Sequence, residues 1–155
     1  MNPLRYLCIC LVASAPMPAL AQTCAAPIEI VLPPSASVYT TVGNTCDSSN
    51  NLPYLANGAI ANQGEDDVYH VVIGVAGVDV AMTPEAGVDL SLFLCRGPCG
   101  TYATCTAAVD EGVGAFNWAP IPPLAGEYFI VVGHAGSSTP TCGNYTLTLL
   151  AQWSG

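Results

Sequence analysis

Short apolar segments recur along this chain, separated by clusters of Gly, Pro, Asn and Ser. Ile, Val, Tyr and Thr predominate in these segments, which is the composition of β-strands. No window of about a dozen residues has the i, i+3, i+4 apolar spacing of a helix without a Gly or Pro inside it. The pattern therefore predicts nine strands, at residues 28–32, 38–42, 68–73, 78–83, 88–94, 101–106, 115–118, 127–132 and 145–150.

Polar and apolar residues alternate along several of these strands. The alternation is clearest in the last one, where Tyr145, Leu147 and Leu149 alternate with Thr146 and Thr148. One buried face and one solvated face are typical of antiparallel sheets that pack as a sandwich. The pattern predicts an all-β fold of this kind, with the long polar segment 47–65 as a surface loop.

The first 21 residues have the pattern of a signal peptide. Arg5 precedes an apolar core of about ten residues, and Ala19-Leu20-Ala21 is the small-x-small triplet of a cleavage site. A membrane span would need about twenty consecutive apolar residues, and this core is shorter. We therefore expect cleavage after Ala21 and one exported domain over residues 22–155. The expected location is secreted or extracellular, with the periplasm or the cell surface as alternatives.

Charge narrows the range of partners. Beyond residue 21, Arg96 is the only basic residue against eleven acidic ones, which gives a formal net charge of −10 (1 − 11). Nucleic acids and anionic membranes both bind through basic side chains, so neither is expected as a partner. Calcium or a cationic partner remains compatible with this balance.

Six cysteines follow the predicted signal peptide, namely Cys24, Cys46, Cys95, Cys99, Cys105 and Cys142. An even number in an exported domain predicts three disulfides rather than a zinc-thiolate site, because the Cys95-x3-Cys99 pair has no matching second pair. From the positions of the predicted strands, we expect the pairs Cys24–Cys46, Cys99–Cys105 and Cys95–Cys142. A competing scheme pairs Cys95 with Cys105 and Cys99 with Cys142.

Three parts of the chain, in order, resemble strands of a known family. Residues 66–71 (Asp-Asp-Val-Tyr-His-Val) resemble the Asp-x-Tyr-x-Phe/Val strand of bacterial pre-peptidase C-terminal domains. Residues 88–94 (Val-Asp-Leu-Ser-Leu-Phe-Leu) resemble the Asp-Leu-x-Leu-Tyr-Leu strand of that family. Residues 124–132 and 142–148 are similar to its closing hairpin, Ala-Gly-Thr-Tyr-Tyr-x-x-Val followed by Gly-x-Tyr-Thr-Leu-x-Val. The match spans about residues 60–150.

This resemblance implies a jelly-roll-like β-sandwich, usually an accessory module of a secreted enzyme that aids export, maturation or adhesion to an extracellular polymer. No catalytic domain precedes the module in this sequence, so we expect a free-standing secreted member. Some calcium-binding members use carboxylates just before the 66–71 strand together with acidic residues of an upstream linker. Here Glu65, Asp66 and Asp67 are weak calcium candidates, because the upstream linker contributes only Asn and Ser. We expect no cofactor, with calcium as the alternative.

Other candidate chemistry is sparse. The two histidines, His70 and His134, have no Gly-x-Ser-x-Gly motif or free thiol to activate, and we expect both on the surface. Aromatic side chains could stack on sugar rings, and the candidates are Tyr39, Tyr54, Tyr102, Trp118 and Trp153, with Trp118 assigned to the core instead.

No catalytic residues and no enzymatic activity are therefore expected. We predict a secreted binding or adhesion module for an extracellular polymer, such as a polysaccharide, or for a protein partner at the cell surface. The alternative is an extracellular structural protein that self-associates through its strand edges. A small hydrolase is the third and least favoured hypothesis for the function.

Overall fold

The computed structural model of this chain describes residues 23–32, 38–50, 52, 54–55, 60–74, 77–96, 105, 112, 114, 117–121, 125–135 and 142–151. Within them lie ten strands: β1 Ile28–Ile30, β2 Val38–Asn44, β3 Tyr54–Leu55, β4 Ile60–Ala61, β5 Asp67–Ile73, β6 Val78–Pro84, β7 Ser91–Arg96, β8 Asn117–Ile121, β9 Gly126–Gly133 and β10 Asn144–Ala151. A short 3-10 helix, Thr45–Asp47, follows β2.

Two four-stranded sheets make up the body of the fold. Their strand orders are β1-β5-β9-β7 and β2-β10-β6-β8, and β3 and β4 form a separate two-stranded ladder. The pairing is antiparallel throughout these sheets except between β1 and β5, which run parallel. The all-β sandwich that the sequence predicts is confirmed. In the part of the chain that the structure describes, no helix is long and apolar enough to span a membrane.

The core lies between the two sheets and is built from alternate positions of their strands. The alternation read from the last predicted strand is confirmed, since Tyr145, Leu147 and Leu149 are all buried there. Burying one large apolar side chain contributes about 1.5–3 kcal/mol, so the shared inner face supplies most of the drive to fold. The other fully or almost fully buried members include Tyr69, Val71, Val80, Met82, Leu90, Leu92, Ile121, Ile130 and Val132.

A second apolar cluster covers the outer face of the β1-β5-β9-β7 sheet. It contains Leu52 packed with side chains of β5, β7 and β9, namely Val68, Phe93, Cys95, Phe129 and Val131. The prediction that residues 47–65 form a surface loop is therefore wrong in part. It carries the β3-β4 ladder and buries Leu52 and Asn62. The alternation along β5 and β9 did not reveal this layer because both faces of those strands are apolar.

The predicted strand 88–94 begins later than expected, at Ser91. The residues before it form a turn, in which the Val88 N–H donates to the Glu85 carbonyl at 3.1 Å. The Val88 carbonyl in turn accepts a hydrogen bond from the Gly114 N–H at 2.8 Å. Both backbone groups of Val88 are therefore bonded to residues outside the β7-β9 pair. The predicted strand 115–118 corresponds to β8, and of the predicted strand 101–106 only Cys105 lies within the described residues. The predicted signal peptide lies outside them.

The preferred disulfide scheme is wrong, and the fold explains why. Cys46 is bonded to Cys142, with a Cα–Cα distance of 4.8 Å, and Cys95 is bonded to Cys105. Strands β2 and β10 are neighbours whose register places Asn44 opposite Asn144, and continuing that register by two residues places Cys46 opposite Cys142.

Two further consequences follow for the cysteines. Cys95 and Cys105 are partners in an isolated antiparallel bridge, so the Cys95–Cys105 pair of the competing scheme is confirmed. The Cys99–Cys142 pair of that scheme is wrong, because Cys142 is bonded to Cys46. Cys24 is also disulfide-bonded, and Cys99 lies outside the described residues.

Candidate functional site

The two histidines lie in different environments. His70 lies on the outer face of β5, where its ring stacks on Phe129 with centroids 4.8 Å apart. Its Nδ1 is 2.7 Å from a carboxylate oxygen of Glu29, on the neighbouring strand β1. These contacts hold β1, β5 and β9 together across the outer face of the sheet.

His134 is buried, so the expectation of a surface residue is wrong for it. The residues after β4 fold over it: its backbone N–H donates to the Asn62 side chain at 2.9 Å, and its carbonyl accepts from Gln63 N–H at 3.1 Å. The ring Nδ1 lies 3.1 Å from the backbone carbonyl of Asp89. The sequence around His134 does not predict this burial, because the residues that cover it come from a distant part of the chain.

The three acidic calcium candidates do not converge. Successive residues of a strand face opposite sides, and Asp66 and Asp67 diverge accordingly at the start of β5. Asp66 is fully buried toward the outer layer. There its Oδ2 accepts hydrogen bonds from the Leu52 N–H at 3.0 Å and from the Asn62 side-chain amide at 3.2 Å. Glu65 is half-buried beside them.

Asp67 faces the interior of the sandwich. It accepts hydrogen bonds from the hydroxyls of Ser48 and Tyr145, and the Tyr145 hydroxyl lies 2.7 Å from that of Tyr69. Burial raises the pKa of the Asp67 carboxyl, although the hydrogen bonds from Ser48 and Tyr145 act in the opposite direction. Burial also raises the pKa of both tyrosines, which therefore stay protonated and able to donate.

A calcium shell of six to eight oxygens requires carboxylates that point to one place. Asp66 and Asp67 lie on opposite sides of β5, and oxygens of both already accept hydrogen bonds from protein donors. Across the described ranges, no three His, Cys, Asp or Glu side chains are grouped so as to hold a metal. The residues present do not fit the calcium site that the resemblance implies for some members.

The aromatic candidates do not assemble an exposed stacking surface from the side chains that are described. Tyr39 is half-buried and packs against the core. Tyr54 lies in β3, and Trp118 lies in β8 opposite Ala81 of β6. Tyr102 and Trp153 lie outside the described residues.

The outer face of the second sheet carries a grid of nine mostly small side chains, of which Ala81 is buried and the others are exposed or half-buried. The register aligns three rows across β2, β10 and β6: Val42–Thr146–Thr83, Thr40–Thr148–Ala81 and Val38–Leu150–Asp79. We call these nine positions the neutral face. Spacings of about 4.8 Å between strands and about 6.8 Å between rows give it an extent of roughly 10 by 14 Å. Sequence reasoning assigned Thr146 and Thr148 to solvent but did not identify the face, because its rows join strands that are distant in sequence.

The neutral face carries little charge, in keeping with a chain of which only 8% of the residues are charged. The chain has a formal net charge of −9, and eight of the nine grid positions are uncharged while the ninth, Asp79, lies at a corner. Four positions are threonines, and the hydroxyls of Thr40 and Thr148 are 3.4 Å apart across β2 and β10. The aliphatic members Val38 and Val42 are 52% and 77% exposed. The face therefore offers hydroxyl groups and methyl groups to a partner and almost no charge.

No protein-family model matches this sequence, and no curated protein is similar to it in sequence. Solved structures are similar in fold. The pre-peptidase C-terminal domain of a collagenase from Bacillus anthracis is 15% identical, with a TM-score of 0.51 over 84% of this chain and 96% of that one. PliG of Aeromonas hydrophila, a periplasmic inhibitor of g-type lysozyme, is 13% identical with a TM-score of 0.48, covering 85% of this chain and 97% of its own.

The surface-associated copper-binding protein CorA of Methylomicrobium album BG8 is 12% identical with a TM-score of 0.47, covering 83% of this chain and 99% of its own. At these identities the likeness concerns the fold alone. The two segments of the predicted closing hairpin are strands β9 and β10, and the prediction of a hairpin is wrong, because these strands lie in different sheets and do not pair with each other. The resemblance to pre-peptidase C-terminal domains that the sequence motifs indicate is confirmed as a similarity of fold.

Proposed function

We propose that this chain is a non-catalytic module that binds a neutral polysaccharide outside the cell through the neutral face. One observation carries the proposal: three adjacent strands align four threonines with aliphatic side chains on one outer face, which has a single charge at a corner. An acidic polymer would be repelled by this chain as a whole, and a cationic one would be drawn to its acidic surfaces instead.

The chemistry of the face suits sugars. A threonine hydroxyl both donates and accepts hydrogen bonds, as sugar hydroxyls do, and the methyl groups of Thr40, Val42 and Thr83 can pack against the C–H faces of sugar rings. Because Asp79 is the only charge among the nine positions, a neutral chain would desolvate little charge when it lies across the rows. An open sheet face also accepts an extended polymer without a cleft.

The extracellular setting rests on separate grounds. The N-terminal pattern predicts removal of residues 1–21, and residues 22–155 would then form the mature module. Disulfides such as Cys46–Cys142 and Cys95–Cys105 persist in oxidising compartments. Pre-peptidase C-terminal domains, whose fold this chain resembles, usually accompany secreted enzymes.

The test is adsorption of the exported, oxidised protein to insoluble cellulose, chitin and mixed β-glucan, with an acidic polysaccharide and collagen alongside. We expect depletion by at least one neutral polysaccharide. Thr83→Glu places a second charge on the neutral face, at the exposed corner where β6 carries Thr83, and should weaken that binding about tenfold or more.

Val72→Glu is the control, because Val72 is 62% exposed on the opposite sheet. It adds the same charge and should leave adsorption unchanged. Adsorption to collagen or to the acidic polymer alone would contradict the proposal, and so would equal losses in the two variants.

A further inference from the structure

Strand β2 is the one sheet edge in the described chain that has none of the usual protections. Edge strands expose unpaired N–H and C=O groups, and proteins block them with short length, charges, prolines or covering segments. Strand β2 has seven residues, Val38–Asn44, and contains no charged residue and no proline. It lies at the end of its sheet, next to β10 only.

The other three edges of the two four-stranded sheets are protected, and β3 and β4 have only two residues each. Strand β1 has only three residues and includes Glu29. Strand β8 contains Pro120, which cannot donate a hydrogen bond. Strand β7 is paired at Cys95 with Cys105, to which it is also disulfide-bonded, and it ends in the charged Arg96. The contrast with β2 points to a partner for that edge.

The hydrogen-bond pattern shows which backbone groups β2 presents. In an antiparallel pair, residues alternate between bonding the neighbour and pointing away from it. Thr45 N–H donates to the Gly143 carbonyl, in continuation of the β2-β10 ladder. Odd-numbered residues of β2 therefore bond β10, and the N–H and C=O groups of Val38, Thr40 and Val42 point outward.

These outward groups are complementary to a second copy of themselves. If β2 pairs antiparallel with β2 of another molecule about a two-fold axis at Thr40, Thr40 lies opposite Thr40 and Val38 lies opposite Val42. All three pairs then join residues whose backbone groups point outward, so both strands exchange hydrogen bonds at each pair. The same register places the two exposed valines of β2 against each other.

We propose that this protein forms a closed homodimer through antiparallel pairing of β2 with β2 of a second copy, with Thr40 on the two-fold axis. The disulfide Cys46–Cys142 holds the end of β2 on β10, so the edge is presented as a fixed template. A two-fold contact uses the same patch on both molecules and leaves no further open edge among the described strands. The product is a dimer with one continuous eight-stranded sheet, and not a fibre.

The dimer would also place two neutral faces side by side on one surface. Residues directly opposite across an antiparallel pair share a face, so Thr40 of each copy borders the other copy's grid. The proposed dimer forms through the edge of β2 and does not depend on the proposed binding of a polysaccharide. Its test contains no polymer.

The experiment is sedimentation velocity of the exported, oxidised protein over a concentration series. We expect a monomer–dimer equilibrium for the wild type. Thr40→Glu and Thr40→Lys each place like charges directly opposite and should each be monomeric, whereas their equimolar mixture should recover the dimer. Val72→Glu and Val72→Lys, on the other sheet, are the matched controls and should dimerise like the wild type.

A second variant tests the register without relying on charge. Hydrogen-bonded antiparallel pairs have Cα atoms about 5.5 Å apart, within the range of a disulfide. Thr40→Cys should therefore form a cross-linked dimer on mild oxidation, and Val72→Cys should not. A wild type that stays monomeric, a dimer that survives Thr40→Glu, or species larger than the dimer would each overturn the proposal.

Discussion

The hydroxyl of Tyr69 on β5 lies 2.7 Å from the hydroxyl of Tyr145 on β10, and this contact joins the two sheets across the core. Tyr145 donates in turn to Asp67, which also accepts a hydrogen bond from Ser48. We call these four side chains the polar clamp. Because Tyr69, Tyr145 and Asp67 are buried, removing one member leaves the others short of a partner where water cannot replace it.

Tyr145→Phe should destabilise the protein more than Tyr69→Phe. The Tyr145 hydroxyl bonds both Tyr69 and Asp67, and a buried group left unpaired costs about 1–3 kcal/mol. The Tyr69 hydroxyl is bonded to Tyr145, so its loss should cost about 1 kcal/mol. Urea unfolding with an unchanged m-value measures both free energies. The same small cost for the two variants would show that the link to Asp67 carries no stability.

Asp67 should make the protein less stable as the pH rises from acidic values. Burial raises its pKa above 3.8 in the folded chain, so the folded state binds the proton more tightly than the unfolded state. The free energy of unfolding therefore falls through the pH interval that begins near 3.8. Asp67→Asn removes this contribution, and the variant should lose less stability between about pH 4 and pH 7 than the wild type.

The measurement is urea unfolding at a series of pH values. Glu127→Gln, which removes an exposed carboxylate of β9, is the control for the general change in net charge. Identical pH profiles for Asp67→Asn and the wild type would contradict the assignment of a raised pKa.

Gly43→Ala should destabilise the protein because the added methyl would overlap the ring of Tyr145. Relieving such an overlap in a packed region costs about 1–3 kcal/mol. Gly74→Ala is the matched control, since its methyl would have no neighbour within 4 Å. Thermal unfolding of the two variants should show a clear decrease in Tm for Gly43→Ala only. A similar decrease in both would mean that Tyr145 has room to move.

Much of the fold could be predicted from the sequence, because alternation directly reports a strand with one buried face. Tyr145, Leu147 and Leu149 illustrate this, and the β10 register confirms it. The layer that buries Leu52 could not be predicted, since β5 and β9 are apolar on both faces and their pattern does not say what covers the outer one.

The disulfide pairs and the candidate site could not be predicted without the order of the strands in the sheets. Alternation of polar and apolar residues does not give that order. Cys24 and Cys46 flank segments that are neighbours in sequence, yet β1 and β2 belong to different sheets. The neutral face is similar in this respect. Thr40, Thr83 and Thr148 form part of one surface only because β10 lies between β2 and β6.

Loss of the Cys46–Cys142 disulfide should cost more stability than loss of Cys95–Cys105. The two bonds close segments with sequence separations of 96 and 10. In the chain-entropy model these correspond to about 4.7 and about 2.7 kcal/mol. Double Cys→Ala variants of each pair, compared by urea unfolding, measure the difference. Non-reducing peptide mapping checks the pairing, and a Cys95–Cys142 fragment would contradict it.

The most direct test of the proposed binding surface is methyl NMR of the exported protein. The protein is titrated with soluble oligosaccharides derived from the polysaccharide to which it adsorbs. Thr and Val methyl groups report on both faces of the sandwich in one spectrum. We predict that the shifted signals belong to the neutral face, with Val42, Thr83 and Thr148 among them, while Val72 on the opposite sheet stays unchanged. Shifts centred on Val72 and its neighbours, with Thr83 and Thr148 unaffected, would contradict the account.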